Sequence, residues 1–366
     1  MSRQGVVVLG STGSIGTSTL NVLRRHPDRF RLVALTAGSN ATLLGEQIAE
    51  WQPEFAGLVS GKGPGCLLEA ATHPAASIVV NAVVGFAGLT ATLAALKAGK
   101  RVALANKESL VVAGELVRAA AKQGGGELVP VDSEHSAVLQ CVAGREGALR
   151  RLILTASGGP FRDWTPERLE AASVAEALRH PTWRMGSKIT VDSATLANKA
   201  MEVIEAHHLF GLPYEQVEVV VHPQSIIHAL VEFTDGSVLG QLGFPSMELP
   251  ILYALTHPER LADAAARPFD PVAAGTLTFE PLRREVFRAF QAGLEAGRTG
   301  GTAPTAFNAA NEIAVDAFLG GRIPFNRIAV VIEETLAEHR LAAADSLEAV
   351  KAADGAARAL AGRIAA

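Results

Sequence analysis

The feature that most constrains this chain is a turn. Val6-Val7-Val8-Leu9 runs straight into Gly10-Ser11-Thr12-Gly13-Ser14-Ile15-Gly16. A short apolar run, three glycines at GxxGxxG spacing and the helical stretch Leu20–Arg25 make a strand, a tight turn and a helix. In such a turn the backbone N–H groups gather at a helix N-terminus. The pattern then repeats. Val6–Leu9, Arg31–Leu35, Ser77–Asn81, Arg101–Leu104 and Leu128–Val131 read as strands, and Leu20–Arg25, Ala41–Gln52, Leu89–Ala98 and Val111–Gln123 as the helices between them. This alternation predicts a Rossmann-like, doubly wound parallel sheet. The strands are almost wholly apolar, as strands covered on both faces are.

Near Leu149 the texture changes. Arg151–Thr155, Val217–Val221, Ile226–Phe233 and Ser237–Leu242 read as strands of a second, mixed sheet, with Asp235-Gly236 as the hairpin turn between the last two. A Pro-rich stretch from His257 to Pro281 reads as a linker, and Leu282–Ala366 has helical periodicity. The expected architecture is therefore α/β: a first domain over 1–148, an α+β catalytic and dimerisation domain over 149–262, a linker over 263–281 and a helical bundle over 282–366. A length of 366 residues suits two or three domains.

Composition excludes several classes. A net charge of −4 leaves no basic excess for tracking nucleic-acid phosphates. Two cysteines, Cys66 and Cys141, are too few for a disulfide framework and fit a reducing cytoplasm. No apolar run is long and uncharged enough to span a membrane, and no secretion or transit signal is visible.

The polar clusters carry the chemistry. The glycine turn alone is equally an ordinary βα connection, but its place after the first strand favours a nucleotide site. The second strand ends in Ala37-Gly38-Ser39-Asn40, without the acid that binds a ribose 2′-hydroxyl in NAD sites, which favours NADPH. Asp132-Ser133-Glu134-His135 follows the fifth strand. With Glu202 it offers three carboxylates and no thiol, a donor set for Mg²⁺ or Mn²⁺; alone it is more often a solvated turn. A helix over Asp192–Phe210, capped by Asp192 or Ser193, would gather Asn198, Lys199 and Glu202 on one face. On helix spacing alone that face is a solvated ion pair worth about 0.3–0.5 kcal/mol; the other reading is a grip on a phosphorylated polyol and a metal. Thr155-Ala-Ser157-Gly158-Gly159 suits a phosphate or a plain turn. Trp183 and Met185 in His180–Gly186 suit a lid that excludes water, or an anchored loop. Ala105-Asn106-Lys107-Glu108-Ser109 sits at the carboxyl edge of the sheet, and His222 and His228 could be structural.

The segments LGSTGSIG, ANKESL, PVDSEH, SGGPFR, HPTWRMGSKITVDSATLANKAMEVIEA, HPQSIIH and FNAANEIAV, in this order from Leu9 to Val315, closely resemble the 1-deoxy-D-xylulose 5-phosphate reductoisomerase family. The resemblance implies a V-shaped homodimer. It implies metal ligands at Asp132, Glu134 and Glu202, binding Mg²⁺, Mn²⁺ or Co²⁺. It implies substrate contacts at Lys107, Ser133, Glu134, Ser157, His180, Ser193, Asn198, Lys199 and Glu202, with Ser157, Ser193, Asn198 and Lys199 on the phosphate. It implies NADPH contacts at Thr12, Gly13, Ser14, Ile15, Gly38, Ser39, Asn40, Asn106, Glu108 and Gly186. Ser39 departs from the lysine that some relatives carry. The implied reaction rearranges a ketose phosphate by a retro-aldol cleavage and re-closure, then reduces the branched aldehyde with NADPH to 2-C-methyl-D-erythritol 4-phosphate, an isoprenoid precursor. Two alternatives remain: another NADP-linked dehydrogenase of a phosphorylated substrate, and a non-catalytic sugar-phosphate sensor. A sensor could dispense with the acidic trio, which is complete here.

Overall fold

The computed structural model describes residues 3–366. They form two compact units: residues up to Ser109, Glu115–Leu139 and Ser246–Pro268 in the first; Leu110–Gly114, Gln140–Pro245 and Phe269–Ala366 in the second.

The first unit is built on six parallel strands: β1 (Gln4–Leu9), β2 (Phe30–Ala37), β3 (Phe55–Leu58), β4 (Ile78–Asn81), β5 (Arg101–Leu104) and β6 (Glu127–Pro130). Their order is β3-β2-β1-β4-β5-β6, the doubly wound topology that the βα alternation predicts. Strand order reverses between β1 and β4, the crevice where such sheets take ligands. Val6, Val8, Leu35, Ile78, Val80, Ala103 and Val129 are buried in one core with Leu20 and Leu23 of the first helix, Ser14–Arg25. β3 is a strand that the sequence reading does not contain. Its FAGL segment lies at the edge of the sheet and only Gly57 is buried, so it lacks the buried run that marks the inner strands.

Residues 246–268 lie across the end of the expected catalytic segment and the start of the expected linker, yet they pack in this first unit. The helix Glu248–Thr256 buries Ile251, Leu252, Ala254 and Leu255 in its core. Arg101 on β5 clamps the end of that helix. Its guanidinium donates to the Leu255 carbonyl at 2.9 Å, to the His257 carbonyl at 2.6 Å and to Glu127 at 2.6 Å. A cation on the last carbonyls of a helix satisfies groups that have no intrahelical partner. Arg25 adds a second tie, donating to Asp263 and Glu248 at 2.7 Å each.

In the second unit, β7 (Leu149–Ala156), β8 (Val217–Val221), β9 (Ile227–Phe233), β10 (Val238–Leu242) and β11 (Glu280–Pro281) form a sheet in the order β10-β9-β7-β8-β11. β7 and β8 are parallel and the other pairings antiparallel, so the sheet is mixed as expected. Gly236, at φ +84°, turns the chain between β9 and β10, and Asp235 accepts from the Ser237 N–H at 2.9 Å. The expected linker contributes β11 to this sheet and a short helix, Pro271–Ala274. The C-terminal stretch is helical: Arg288–Thr299, Ala303–Leu319, Arg327–Glu338 and Leu347–Ile364. Gly293 lets the first of these approach closely, because a Cβ there would lie 2.5 Å from Phe307 and 2.7 Å from Ala200. Among the described residues no helix is long and apolar enough to cross a membrane.

The clamp on residues 246–268 is open to test. Arg101→Met should lower the unfolding free energy by roughly 2–3 kcal/mol, the worth of its charge-assisted bonds, in urea titrations. A loss below about 0.5 kcal/mol would mean that apolar packing alone holds this segment.

Candidate active site

In the first unit the expected residues line the carboxyl ends of the parallel strands. The glycine turn follows β1. Gly10 has φ +81° and a Cβ there would sit 2.6 Å from the Ala82 carbonyl oxygen, just past β4; at Gly16 it would strike Gly10 O at 2.3 Å. The turn therefore requires glycine, and it leaves Gly13 and Ser14 exposed at the start of the helix, with Thr12 and Ile15 half-buried. Ser11 is fixed from below, donating to Gln47 at 2.6 Å and accepting from its amide at 2.9 Å through the backbone carbonyl. Gly38, Ser39 and Asn40 are exposed after β2. The Asn40 side-chain oxygen caps the helix Ala41–Trp51 by accepting from the Leu43 N–H at 3.1 Å, so its NH₂ is the group that can face outward.

After β5, Asn106, Lys107 and Glu108 are buried. The Asn106 amide donates to the Val83 and Gly85 carbonyls at 2.8 Å each and to Glu108 at 2.9 Å, and its oxygen accepts from the Ser109 hydroxyl. Its side chain thus shapes the loop after β4. After β6, Asp132 pairs with Lys107, and the Ser133 hydroxyl donates to Glu134 at the start of the helix Ser133–Val142. Two carboxylates, one beside an ammonium, stand at the end of this strand.

The second unit holds the other group. The expected single helix over Asp192–Phe210 is two helices, Ser187–Thr195 and Ala197–Phe210, broken at Leu196 with φ +59° and ψ 12°. Asp192 is therefore no N-cap; it lies inside the first helix and is 1% exposed. The face of Asn198, Lys199 and Glu202 is not solvated either. Lys199 is 4% exposed and Glu202 1%. Lys199 donates to the Thr155 carbonyl at 2.6 Å and pairs with one Glu202 oxygen, while Asn198 donates to the other. The carboxylate is oriented by two donors, as metal-ligating carboxylates are by their neighbours.

Ser157, His180 and Ser193 converge. His180 Nε2 lies 3.0 Å from Ser157 Oγ and 3.1 Å from Ser193 Oγ. Nδ1 accepts from the Thr182 and Trp183 N–H groups at 3.1 and 2.9 Å. A nitrogen that accepts carries no proton, so the proton sits on Nε2 and donates to a serine oxygen. Burial holds the imidazole down to about 4, so it is neutral near pH 7. Ser157 also accepts from the Gly159 N–H at 3.2 Å. With donors supplied from behind, both serine O–H groups can point at an anion. Residues 179–186, with exposed Gly186 and half-buried Trp183 and Met185, carry no helix or strand. The Trp183 ring lies 6.2 Å from that of His228, which burial also lowers to about 4. His222 has a structural part: its Nε2 accepts from the Ile226 N–H at 3.2 Å, and Nδ1 donates to the Thr278 carbonyl at 2.8 Å.

Sequence reasoning misses two supports, one half-buried and one buried. Arg283 donates to the Arg162 and Trp164 carbonyls at 3.0 Å each, holding the loop after Ser157. Asn311 donates to Asp192 at 2.8 Å. The paired asparagines of FNAANEIAV are the only trace of the second.

The His180 assignment is measurable. ¹⁵N NMR of the free protein should show Nε2 protonated at pH 7 and a titration near 4. The folded pKa lies below the unfolded 6.5, so the stabilisation is whole above pH 6.5 and is lost as pH falls toward 4. Titration at the ordinary value near 6.5, with Nδ1 protonated, would overturn it.

The chain matches family models along most of its length. Residues 6–63 and 58–114 match 1-deoxy-D-xylulose 5-phosphate reductoisomerase, 128–210 its C-terminal domain, and 242–360 the DXP reductoisomerase C-terminal domain. It is 50% identical to the 1-deoxy-D-xylulose 5-phosphate reductoisomerase of Bacillus cereus (strain Q1), covering 97% of this chain and 98% of that one. It is 51% identical to that of Geobacillus sp. (strain WCH70), over 95% and 96%. Among solved structures, a DOX-P reductoisomerase in complex with NADPH, fosmidomycin and magnesium superposes with TM-score 0.92 at 40% identity, covering 99% of this chain and 98% of that one. The Zymomonas mobilis enzyme in complex with NADPH gives 0.89 at 41%, over 100% and 99%. With half its residues shared across nearly the whole length, the chain belongs to the 1-deoxy-D-xylulose 5-phosphate reductoisomerase family.

Proposed function

We propose that this chain converts 1-deoxy-D-xylulose 5-phosphate to 2-C-methyl-D-erythritol 4-phosphate with NADPH and a divalent cation, and that the polar groups described above divide the work. The observation that carries the reading is the convergence of neutral His180 with Ser157 and Ser193. It supports an anion grip in a chain whose family acts on a sugar phosphate.

The residues present fit both absent groups. Asp132, Glu134 and Glu202 would hold Mg²⁺ or Mn²⁺. They are all-oxygen donors, and Glu202 is a buried carboxylate already aimed by Asn198 and Lys199. The glycine turn, with no room for a Cβ at Gly10 or Gly16 and with Gly13 and Ser14 exposed at the helix N-terminus, would take the NADPH pyrophosphate. Gly38, Ser39 and Asn40 would face the 2′-phosphate without a repelling acid. When bound, the cation supplies Lewis acidity at the substrate oxygens and the nicotinamide supplies hydride.

The chain's own residues bind, orient and exclude water. Ser157, Ser193, Asn198 and Lys199 donate to the non-reacting phosphate and so position the reacting carbons. Lys107, Ser133 and His180 complete the substrate contacts. Trp183 and Met185, on the loop that His180 anchors, cover the site. Asn106 and Glu108 shape the nicotinamide side, and Gly186 adds a backbone contact. A homodimer is supported by the edge strand β10, which exposes Val238, Leu239 and Leu242. A cytoplasmic setting is supported by the free, buried thiols of Cys66 and Cys141.

Two substitutions test this division. Glu134→Ala should weaken Mn²⁺ binding and cut turnover severely, since two remaining carboxylates hold the ion poorly; full activity at ordinary metal concentration would refute the ligand set. Lys199→Ala should lower kcat/KM on the phosphate ester by about ten- to a hundredfold, the equivalent of roughly 1.5–3 kcal/mol. An equal loss on the dephosphorylated analogue would remove Lys199 from the phosphate site.

A further inference from the structure

The turn that joins the two site helices is held by residues that have no place in the chemistry above. Leu196 is buried in the left-handed region, at φ +59°. That conformation costs a leucine about 1 kcal/mol or more, so the surroundings impose it. Ser193 lies just before this turn, and Asn198 and Lys199 just after it.

Two contacts fix the turn. On one side, Gly159 at φ +69° packs so closely that a Cβ would lie 2.5 Å from the Ser193 carbonyl oxygen. On the other, Asp192 is gripped at both oxygens. One pairs with Lys188 a helical turn earlier at 2.7 Å. The other accepts from the Asn311 amide at 2.8 Å, and Asn311 stands on the helix Ala303–Leu319, 119 residues further on. Both Asp192 and Asn311 are buried. A buried carboxylate that loses a donor relaxes its backbone or takes a proton.

We propose that Asp192 and Asn311 are positioning residues for the phosphate subsite. Their hydrogen bond ties the end of the helix Ser187–Thr195 to the C-terminal helices and keeps Ser193 Oγ on His180. Neither touches substrate; both act through Ser193. The inference rests on the reading that Ser157, Ser193, Asn198 and Lys199 take the phosphate. It makes the C-terminal helical region a determinant of sugar-phosphate affinity.

The test is steady-state kinetics of the full chain with Mn²⁺, comparing Asn311→Asp, Asp192→Asn and the double variant. Asn311→Asp sets two carboxylates against each other. Asp192→Asn removes the negative charge that pairs with the Lys188 ammonium and forces Asn311 to bond an amide in place of a carboxylate. The double variant restores both contacts, because Asn at 192 can donate to Asp at 311 and accept from Lys188. Each single variant should raise KM for the sugar phosphate by roughly ten- to a hundredfold, as small displacements at a positioned group do. KM for NADPH should stay within about twofold, and the double variant should return to within about fivefold of wild type through its coupling. Singles with wild-type KM, or a double variant as impaired as the product of its singles, would overturn the proposal. Should Asn311→Asp not fold, Asn311→Ala removes the donor without adding charge; a lower Tm with KM unchanged would mark a merely structural bond and overturn the proposal too. Ser193→Ala separates the two levels. If it raises KM and the Asn311 variants do not, only this inference falls. If it leaves KM unchanged, the phosphate reading falls and takes the inference with it.

Discussion

Glu202 is a carboxylate with 1% exposure, and much of the second unit is arranged to make that tolerable. An isolated buried charge of this kind costs several kcal/mol. Here Lys199, one helical turn away, pairs with one oxygen, and Asn198 donates to the other. Lys199 in turn donates to the Thr155 carbonyl at the end of β7, which locks the helix Ala197–Phe210 onto the central strand of the mixed sheet. The next residues of that strand's exit are Ser157, Gly158 and Gly159, so the same lock brings the serine toward His180 and Ser193. Neutralising one carboxylate therefore sets the register between helix, strand end and polar loop. The arrangement holds a negative group and a positive group poised, each already desolvated, where a cation and a phosphate would take them as partners.

The first unit solves a different problem with backbone alone. Its parallel strands end together, and the glycine turn after β1 can lie against the chain leaving β4 only because Gly10 has no side chain. The side chains beneath that edge are committed to structure. Asn106 shapes the loop after β4, Gln47 holds Ser11, and Asn40 caps a helix. The groups left for a ligand are then mainly backbone N–H groups and small hydroxyls, which suit a pyrophosphate.

These features differ in how far they are legible in the sequence. The parallel sheet is legible because strands buried on both faces are written as unbroken apolar runs, and Val6–Leu9 and Ile78–Val80 are such runs. β3 is not, because at the edge of the sheet it buries only Gly57, so neither a buried run nor an alternation marks it. The break at Leu196 is invisible, since leucine favours helices and only tertiary packing forces it into the left-handed region. The burial of Lys199 and Glu202 is equally hidden: i, i+3 spacing looks the same on a solvated face as on one pressed against a sheet. The course of residues 246–268 depends on Arg101 and Arg25 reaching across more than 150 positions of chain, and no local pattern records that. Asp192 reads as a helix cap because its partner, Asn311, lies 119 residues away. What the motifs do record is identity of side chains at the site; what they omit is which of them are paired before any ligand arrives.

The central claim is that these groups together rearrange a ketose phosphate and then reduce it. It is met most directly by incubating the chain with 1-deoxy-D-xylulose 5-phosphate, NADPH and Mn²⁺, following nicotinamide absorbance and identifying the product by NMR. The account predicts NADPH oxidation that requires both metal and ketose phosphate, with the branched 2-C-methyl-D-erythritol 4-phosphate as the product. An unbranched polyol phosphate would make the chain a plain reductase, and binding of all three without turnover would make it a sensor; either would contradict the account.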